Sequence, residues 1–289
     1  MNVLLFFVDG LGLGKSDPEI NPVINPDFQC LNSLLEEKFC IPTDAQLDVD
    51  GLPQSATGQT TILTGINAPK AVGRHINGFP TKTLKQLIEE HSILKRLKNK
   101  GLRVTNANMY TKEYLVRMFA NDNKFNISAT TLATLAAQIP FRLLDDMLEE
   151  KAVYQDITNA LLIKRGFDVP LRTPRLAGEI LAKLNKQFDF VLFEYFQTDF
   201  AGHSQDKNWC IRVLRDLNDM LEGLLSNMDF KDSLFVFTSD HGNIEDISVS
   251  THTSNKVPTI LRGKNAESMA LKIRSIADIA PGIEELLLG

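Results

Sequence analysis

Acidic residues and histidines that could bind metal ions fall in a few short stretches of this chain. These stretches hold three of its five histidines. The candidate ligands are Asp9, Asp199, His203, Asp240, His241 and His252. A mixed set of carboxylates and imidazoles suits Zn²⁺ or Mn²⁺ better than Ca²⁺ or an all-oxygen Mg²⁺ site. Six such ligands suffice for two divalent ions, so the sequence predicts a two-metal centre.

The positions of the three aspartates relative to apolar runs indicate how they meet. Asp9 and Asp240 directly follow short apolar runs, and we interpret Asp199, just after the run ending at Phe196, in the same way. Ligands of open α/β sheets gather beyond the carboxyl ends of strands, so all three carboxylates are expected at one edge. Like charges gathered there require cations between them. His203 follows Asp199 by four residues and would share its face of a helical turn.

Short apolar runs alternate with helical patterns, which is typical of a mostly parallel sheet with helices on both faces. The predicted strands are Val3–Val8, Leu102–Asn108, Phe190–Phe196, Leu234–Thr238 and Val257–Leu261. We therefore expect a single α/β domain over residues 1–289. Residues 110–172 differ, because they show consecutive helical patterns and no convincing strand. This helical insertion is either a lid over the site or a set of additional core helices.

Composition limits the functional classes. The chain has 289 residues, of which 43% are hydrophobic, which is enough for a large core. A net charge of -5 and the lack of a run of five Lys or Arg argue against nucleic acid or a membrane surface as partner. Three cysteines without a CxxC pattern indicate a reducing compartment. The first apolar run stops at Asp9 and has no basic residues before it, so we interpret it as a buried strand of a cytoplasmic protein.

A serine is the candidate nucleophile. Ser55 lies among small hydroxylated residues just before a helical pattern. The N-terminus of a helix favours a phosphate, and two metal ions can activate a serine and clamp an in-line displacement. Thr57 is the competing nucleophile, and a serine that merely caps the helix is the alternative without chemistry.

These motifs together resemble the alkaline phosphatase superfamily, in particular its cofactor-independent phosphoglycerate mutase and phosphopentomutase branch. Residues 240–245, Asp-His-Gly-Asn-Ile-Glu, are similar to the mutases' Asp-His-Gly-Asn-Ala-Glu. Residues 252–258, 199–203 and 54–58 are similar to the family's His-Thr-(Ser/Thr)-Asn-x-Val-Pro, Asp-x-x-Gly-His and Asn-Ser-x-x-Gly segments. The motifs occur in the family's order.

The resemblance implies a role for each ligand. One ion would be held by Asp199, His203 and His252, and the other by Asp9, Asp240, His241 and Ser55. Ser55 would be phosphorylated by a small-molecule phosphomonoester and would pass the phosphoryl group to water or to an acceptor hydroxyl. Mn²⁺ is usual in the mutase branch and Zn²⁺ in the phosphatases, so either metal is expected.

Two departures from the family bear on the reaction. The phosphoglycerate mutases carry a large cap domain soon after the nucleophile, whereas here only about twenty residues separate Gly65 from the helical pattern at Thr83. Gln59 stands where the family has a histidine. A mutase must exclude water, which calls for a closing lid, so the missing cap favours a hydrolase. A phosphomutase, a phosphodiesterase or phosphonate hydrolase, and a non-catalytic metal-binding relic are the alternatives.

Three basic residues are candidates for substrate binding. Arg74 could bind a phosphate with two hydrogen bonds, and His75 could act as a general acid. By its position after a predicted strand, Lys112 resembles an active-site lysine of the mutases. An ordinary solvated surface is the alternative for all three. The same alternative applies to a possible anion pocket formed by Arg142, Arg165, Arg172 and Arg175. The sequence leaves the substrate and the oligomeric state open.

Overall fold

A central sheet of six strands organises the protein. The computed structural model describes residues 1–120 and 125–289. The strands are β1 (Asn2–Val8), β2 (Cys40–Thr43), β3 (Val104–Asn106), β4 (Phe190–Tyr195), β5 (Ser233–Ser239) and β6 (Val257–Gly263). Their order in the sheet is β2-β6-β5-β1-β4-β3. The four strands β5, β1, β4 and β3 are parallel, which confirms the mostly parallel sheet predicted from the sequence.

Fourteen α-helices surround the sheet within the described residues. They are α1 (Gln29–Leu35), α2 (Ser55–Thr64), α3 (Ala68–Val72), α4 (Lys82–His91), α5 (Ile93–Asn99), α6 (Lys112–Phe119), α7 (Ala129–Ala136), α8 (Leu144–Leu148), α9 (Ala160–Lys164), α10 (Pro174–Asn185), α11 (Gln197–Ser204), α12 (Lys207–Asn227), α13 (Ala266–Ala270) and α14 (Ile279–Leu288). No helix in these residues is long and apolar enough to cross a membrane.

Alternation along β1 divides the core into two layers. Leu4 and Phe6 face a cluster that includes side chains of α1, α10 and α12. Val3 and Leu5 face a second cluster, with side chains of α2, α5 and α14. Because successive side chains of a strand point to opposite faces, a strand covered on both sides must be apolar throughout. The helices therefore cover both faces, as predicted.

The register of the parallel strands aligns three carboxyl ends. Val8 of β1 lies opposite Tyr195 of β4 and opposite Ser239 of β5. Asp9 and Asp240 are the next residues of their strands, so they emerge at the same edge of the sheet. This placement agrees with the sequence analysis.

The other side of the sheet differs from the sequence-based expectation. β6 is antiparallel to β5, and β2, which was not predicted, is antiparallel to β6. The connection from β5 to β6 contains no helix, whereas a parallel neighbour requires a crossover. β2 contains Pro42, which cannot donate to a ladder and which removes the usual strand signal, but an edge strand tolerates it. β3 is also shorter than the predicted strand Leu102–Asn108.

The segment 110–172 contributes helices α6 to α9 and no strand among its described residues. It has a small apolar cluster of its own, in which Met147, Tyr154 and Leu162 pack with Met109. Isolated bridges join Asn108 to Val153 and Met109 to Arg142, and they attach the segment to the end of β3. The segment is thus fixed beside the edge of the sheet where the aspartates emerge.

The close approach of α10 and α12 gives a test of the fold. A Cβ atom on Gly178 would lie 2.0 Å from the carbonyl oxygen of Met220. Alanine normally stabilises a helix by about 1 kcal/mol relative to glycine. Here we expect Gly178→Ala to lower the free energy of unfolding by about 1–3 kcal/mol, because the helices must separate. Urea unfolding measures the change, with the exposed Ser226→Ala on α12 as control; equal stability of the two variants would contradict this packing.

Candidate metal centre

One group of candidate ligands surrounds His241. Its Nε2 lies 3.1 Å from Asp9 Oδ1 and 3.7 Å from Asp240 Oδ2. Ser55 Oγ lies 3.0 Å from the same nitrogen. Ser55 is the first residue of α2, so the hydroxyl lies at the positive end of a helix dipole. All four side chains are buried, and their ligand atoms converge on one small volume.

A second group forms around His252. Its Nε2 lies 3.1 Å from His203 Nε2 and 3.6 Å from Asp199 Oδ1. The distance between His203 Nε2 and Asp199 Oδ2 is 3.4 Å. Asp199 and His203 share one face of α11, as their spacing predicted. The sequence predicted that Asp199 lies at a strand end. In the structure, β4 stops at Tyr195, and Asp199 belongs to the first turn of α11.

The two groups are adjacent. The rings of His241 and His252 stack with centroids 3.7 Å apart and an angle of 11° between their planes. Ligand atoms of Asp199, His241 and His252 also lie within 4.8 Å of one another. Asp199 and His252 could therefore share a metal ion with either His203 or His241. The two groups form a single centre.

Hydrogen bonds to the backbone determine which imidazole nitrogens could bind a cation. Nδ1 of His203 lies 2.9 Å from the carbonyl oxygen of Ser250, and Nδ1 of His252 lies 2.9 Å from that of Pro53. Each Nδ1 therefore carries the proton in the neutral ring, and each Nε2 presents a lone pair. Burial, with the nearby His241, lowers the pKa of His252 to about 4, which keeps this ring neutral.

Two lone pairs that face each other at 3.1 Å repel unless a cation lies between them. Two imidazole nitrogens on one tetrahedral zinc ion would lie about 3.3 Å apart, given bonds of about 2.05 Å. The separation of the two Nε2 atoms of His203 and His252 is close to this value. The pair thus fits a shared metal ion.

The electrostatics of the first group also call for cations. Burial and the neighbouring Asp240 raise the pKa of Asp9 well above its usual value, and burial and Asp199 raise that of Asp240. Burial alone would lower the pKa of His241, but the carboxylates of Asp240, Asp9 and Asp199 raise it to about 10. Asp9 Oδ1 and Asp240 Oδ2 are buried without a hydrogen-bond partner. These unpaired oxygens fit a divalent cation. Such an ion would replace the proton that the raised pKa values favour on the carboxyl groups.

Glu245 holds the surrounding loops together. Its buried carboxylate accepts hydrogen bonds from the backbone of Gly12 (2.8 Å) and Asn243 (2.7 Å), and from the side chains of Thr253 (2.5 Å) and Asn255 (3.0 Å). It thereby joins the loop after β1 to both ends of the β5–β6 connection. Glu245 ends the 240–245 motif, but the sequence predicts no role for it, because a residue that accepts long-range hydrogen bonds has no local signal.

Two amides orient the aspartates. Asn243 Nδ2 donates to Asp199 Oδ1 over 2.6 Å, and Gln59 Nε2 donates to Asp9 Oδ2 over 3.1 Å. Gln59 lies one turn after Ser55 on α2, so the helix that carries the serine also positions a candidate ligand. Gln59, which stands where the family has a histidine, therefore contacts a candidate metal ligand directly.

The alternative nucleophile, Thr57, is fully buried. Its Oγ1 donates to the carbonyl oxygen of Gln54 over 3.1 Å and accepts from the backbone of Ile76 over 3.3 Å. Ser55, but not Thr57, is among the described residues that line the cavity beside the candidate ligands.

This cavity has a volume of about 400 Å³ and reaches from Asp9, Ser55 and Asp199 to the 110–172 segment. The predicted substrate residues Arg74, His75 and Lys112 are not among the described residues that line it. Arg74 and Lys112 are exposed, and His75 Nε2 faces the carbonyl oxygen of Val49 at 3.2 Å. The neighbouring residues 77–79 line the cavity instead.

The predicted arginine pocket does not form. Arg142 donates to Thr105 and to backbone carbonyls, Arg172 donates to the carbonyl oxygens of Ala152 and Met147, and Arg175 pairs with Glu222. Arg165 alone of the four lines the cavity. Sequence spacing could not reveal these internal partners.

A family model of the metalloenzyme superfamily matches residues 1–288 of the chain. The chain belongs to this superfamily. Its match, together with relatives among the mutases, confirms the resemblance drawn from the motifs. Superfamily membership implies divalent metal ions, which agrees with the ligand geometry.

Curated relatives match only part of the chain. A 2,3-bisphosphoglycerate-independent phosphoglycerate mutase of Antithamnion sp. is 28% identical over 133 residues, which cover 42% of this chain and 26% of the mutase. A phosphopentomutase of Alkaliphilus oremlandii is 33% identical over 111 residues, which cover 38% and 28% of the two chains. The chain thus spans about a quarter of the length of the relatives it matches.

The fold is similar over nearly the full length to solved structures. The alkaline phosphatase of the Antarctic bacterium TAB5 superposes with a TM-score of 0.54 at 15% identity, covering 99% of this chain and 97% of the phosphatase. At this identity the similarity shows the fold alone, and the fold is alkaline phosphatase-like.

Glu245 gives the first prediction for the site. A glutamine there must turn its NH₂ group toward at least one of the groups that now donate hydrogen bonds to the carboxylate. We expect Glu245→Gln to lower the free energy of unfolding by about 2–4 kcal/mol and to weaken divalent-metal binding. Urea unfolding and metal titration measure both effects. Asp246→Asn, at a partly exposed neighbour, is the control; a Glu245→Gln variant as stable as this control would refute the role of Glu245.

Glu194 gives a pH-dependent prediction. Burial raises the pKa of this β4 carboxyl from 4.5 to about 7, with Asp240 adding to the shift. Between pH 4.5 and 7 the folded chain keeps the Glu194 proton that the unfolded chain has lost. The free energy of unfolding therefore falls as pH rises. Above pH 7 the buried Glu194 carboxylate lowers it by the full amount, about 3 kcal/mol. Glu194→Gln removes it.

We therefore expect the metal-free Glu194→Gln variant to gain stability relative to the wild type as pH rises from 4.5 to 8. Urea unfolding in the presence of a chelator at several pH values measures this gain. The exposed Glu113→Gln is the control. A stability difference that does not change with pH would contradict the burial of an ionisable Glu194.

Proposed function

We propose that this protein is a two-metal phosphohydrolase that cleaves a small phosphomonoester through a phosphoserine at Ser55. The observation that carries the proposal is the position of Ser55 Oγ, 3.0 Å from His241 Nε2, at the start of α2 and at the wall of the cavity. A hydroxyl with this placement is set to attack a phosphate that enters from the cavity.

The proposed ligands of the two ions are those the motifs suggested. Asp199, His203 and His252 would hold one ion, and Asp9, Asp240, His241 and Ser55 the other. Divalent Mn²⁺ or Zn²⁺ would act there as a Lewis acid that neutralises the phosphate and lowers the pKa of the serine hydroxyl. Gln59 and Asn243 would keep Asp9 and Asp199 oriented through their hydrogen bonds.

The proposed reaction has two displacement steps. In the first, the bond between Ser55 Oγ and phosphorus forms, the ester P–O bond breaks, and the alcohol leaves with the serine proton. In the second, water attacks phosphorus, inorganic phosphate leaves, and Ser55 recovers its proton. The net reaction is a phosphomonoester and water giving an alcohol and phosphate.

The charges of the cavity support a hydrolase. A mutase must retain a phosphorylated or anionic intermediate while the intermediate reorients, and positive side chains serve this purpose. Arg165 is the only positively charged residue among the described residues that line the cavity. A phosphomutase is the second candidate, because the curated relatives are named as mutases.

The 110–172 segment is proposed to cover the site. Tyr110, Tyr114, Tyr154 and Arg165 from this segment line the same cavity as Ser55 and Asp199. This arrangement favours the lid interpretation over additional core helices. A small phosphorylated molecule in the cytoplasm is the proposed substrate.

The nucleophile is tested by substitution. We expect Ser55→Ala to lower phosphoryl-transfer turnover by ~10³-fold or more, because the phosphoserine can no longer form. Thr57→Val, which removes the competing hydroxyl at constant volume, should keep turnover within about tenfold of the wild type. ³¹P NMR of the metal-loaded protein with a panel of phosphomonoesters measures both variants and separates released phosphate from phosphate moved within the substrate. Near wild-type turnover by Ser55→Ala would eliminate Ser55 as the nucleophile.

A further inference from the structure

The cavity beside the metal centre is unusually rich in aromatic side chains. Seven of the 22 described residues that line it are aromatic, whereas aromatic residues make up 8% of the chain. Tyr110, Tyr114, Phe125 and Tyr154 belong to the 110–172 wall. Phe79, Phe196 and Phe200 lie outside this segment and line the same cavity as Ser55 and Asp199. These rings offer a large apolar surface to a ligand.

Two of the tyrosine hydroxyls already accept hydrogen bonds within the protein. Tyr110 OH accepts from Asn106 Nδ2 over 3.1 Å and from Thr131 Oγ1 over 3.2 Å. Tyr154 OH accepts from Gln155 Nε2 over 3.1 Å and from Arg165 over 3.0 Å. These tyrosines therefore present ring surface to the cavity and keep their polar ends for the wall.

Two other polar side chains that line the cavity, those of Asn108 and Ser128, also have partners within the protein. Asn108 Nδ2 donates to the carbonyl oxygen of Glu194 over 2.8 Å, and Asn108 Oδ1 accepts from the backbone N–H of the same residue over 3.0 Å. Ser128 Oγ lies 2.8 Å from Thr131 Oγ1. A polyhydroxylated substrate would have to compete with these bonds, and an apolar ring would not.

Two phenylalanine rings are exposed where a ligand would lie. Phe200 is 52% exposed and directly follows Asp199 on α11, and Phe79 is 48% exposed. Phe196 supports Phe200 edge to face, with ring centroids 5.6 Å apart. An exposed phenyl ring next to a candidate metal ligand gains stability when a bound apolar group covers it.

The charges of the cavity argue against a second anionic group on the substrate. Among the described lining residues, Arg165 is the single cation, and its guanidinium is held by Tyr154 OH and lies 5.5 Å from the centre of the Phe167 ring. Glu194 of β4 adds a carboxyl to the cavity lining. A sugar-acid phosphate would leave its carboxylate poorly paired here.

We propose that the substrate is a phosphomonoester of an alcohol that bears an uncharged aromatic ring, and that Phe200 and Phe79 hold this ring while the phosphate lies at Ser55. The inference rests on the proposed phosphohydrolase function for the chemistry. The ring-binding surface itself depends only on the geometry of the cavity.

Binding to an inactive variant tests the inference without turnover. Calorimetry of Mn²⁺-loaded Ser55→Ala protein would compare 2-phenylethyl phosphate with glycerol phosphate, two dianionic esters of primary alcohols. We expect the phenyl ester to bind about tenfold more tightly or better, as stacking of one ring provides. Adding Phe200→Ala or Phe79→Ala should reduce this preference about tenfold. Phe119→Ala, at a 63% exposed ring of α6 outside the cavity lining, should leave it unchanged.

Equal binding of the two esters, no binding of either, or a preference that survives both cavity substitutions would overturn the inference. Phosphate release by the wild-type protein from the same two esters tests the chemistry separately. Preferential binding of the phenyl ester without phosphate release from any ester would overturn the hydrolase and keep the ring site. Release of phosphate without a preference for the phenyl ester would overturn the ring site and keep the hydrolase.

Discussion

Buried negative charge at one edge of the sheet is the constraint on which the rest of the structure depends. The register of β1 and β5 brings Asp9 and Asp240 out side by side, and α11 adds Asp199. Carboxylates this close, with buried oxygens that lack hydrogen-bond partners, are unfavourable without cations. The neighbouring imidazoles His203 and His252 add lone pairs that face each other. The fold therefore concentrates negative charge and lone pairs at a place where divalent ions would neutralise the repulsion.

The surroundings of the centre divide into the elements that hold the candidate ligands and the segment that lines the cavity beside them. Strand ends, α2 and the buried acceptor Glu245 fix the candidate ligands through backbone and amide hydrogen bonds. The 110–172 segment has its own small core and supplies one wall of the cavity. Because the cavity wall and the candidate ligands belong to different elements, the wall can change without disturbing the ligands.

The sequence revealed those features that depend on local signals. Apolar runs that end in Asp9 and Asp240 predicted the sheet edge correctly, and the spacing of Asp199 and His203 predicted their shared helical face. Features that depend on distant partners were missed. The edge strand β2 is interrupted by Pro42, Glu245 collects donors from two loops that are far apart in sequence, and Arg142 is paired with Thr105 instead of binding an anion. No local pattern carries such information, since long-range hydrogen bonds leave no periodicity.

Anomalous X-ray diffraction from crystals grown with Mn²⁺ or Zn²⁺ tests the central claim most directly. Two peaks are predicted, one between His203, His252 and Asp199, and the other between Asp9, Asp240 and His241 beside Ser55. The first should be within bonding distance of both Nε2 atoms that now face each other. Ions bound only elsewhere on the protein, or no ion at either position under saturating metal, would contradict the account.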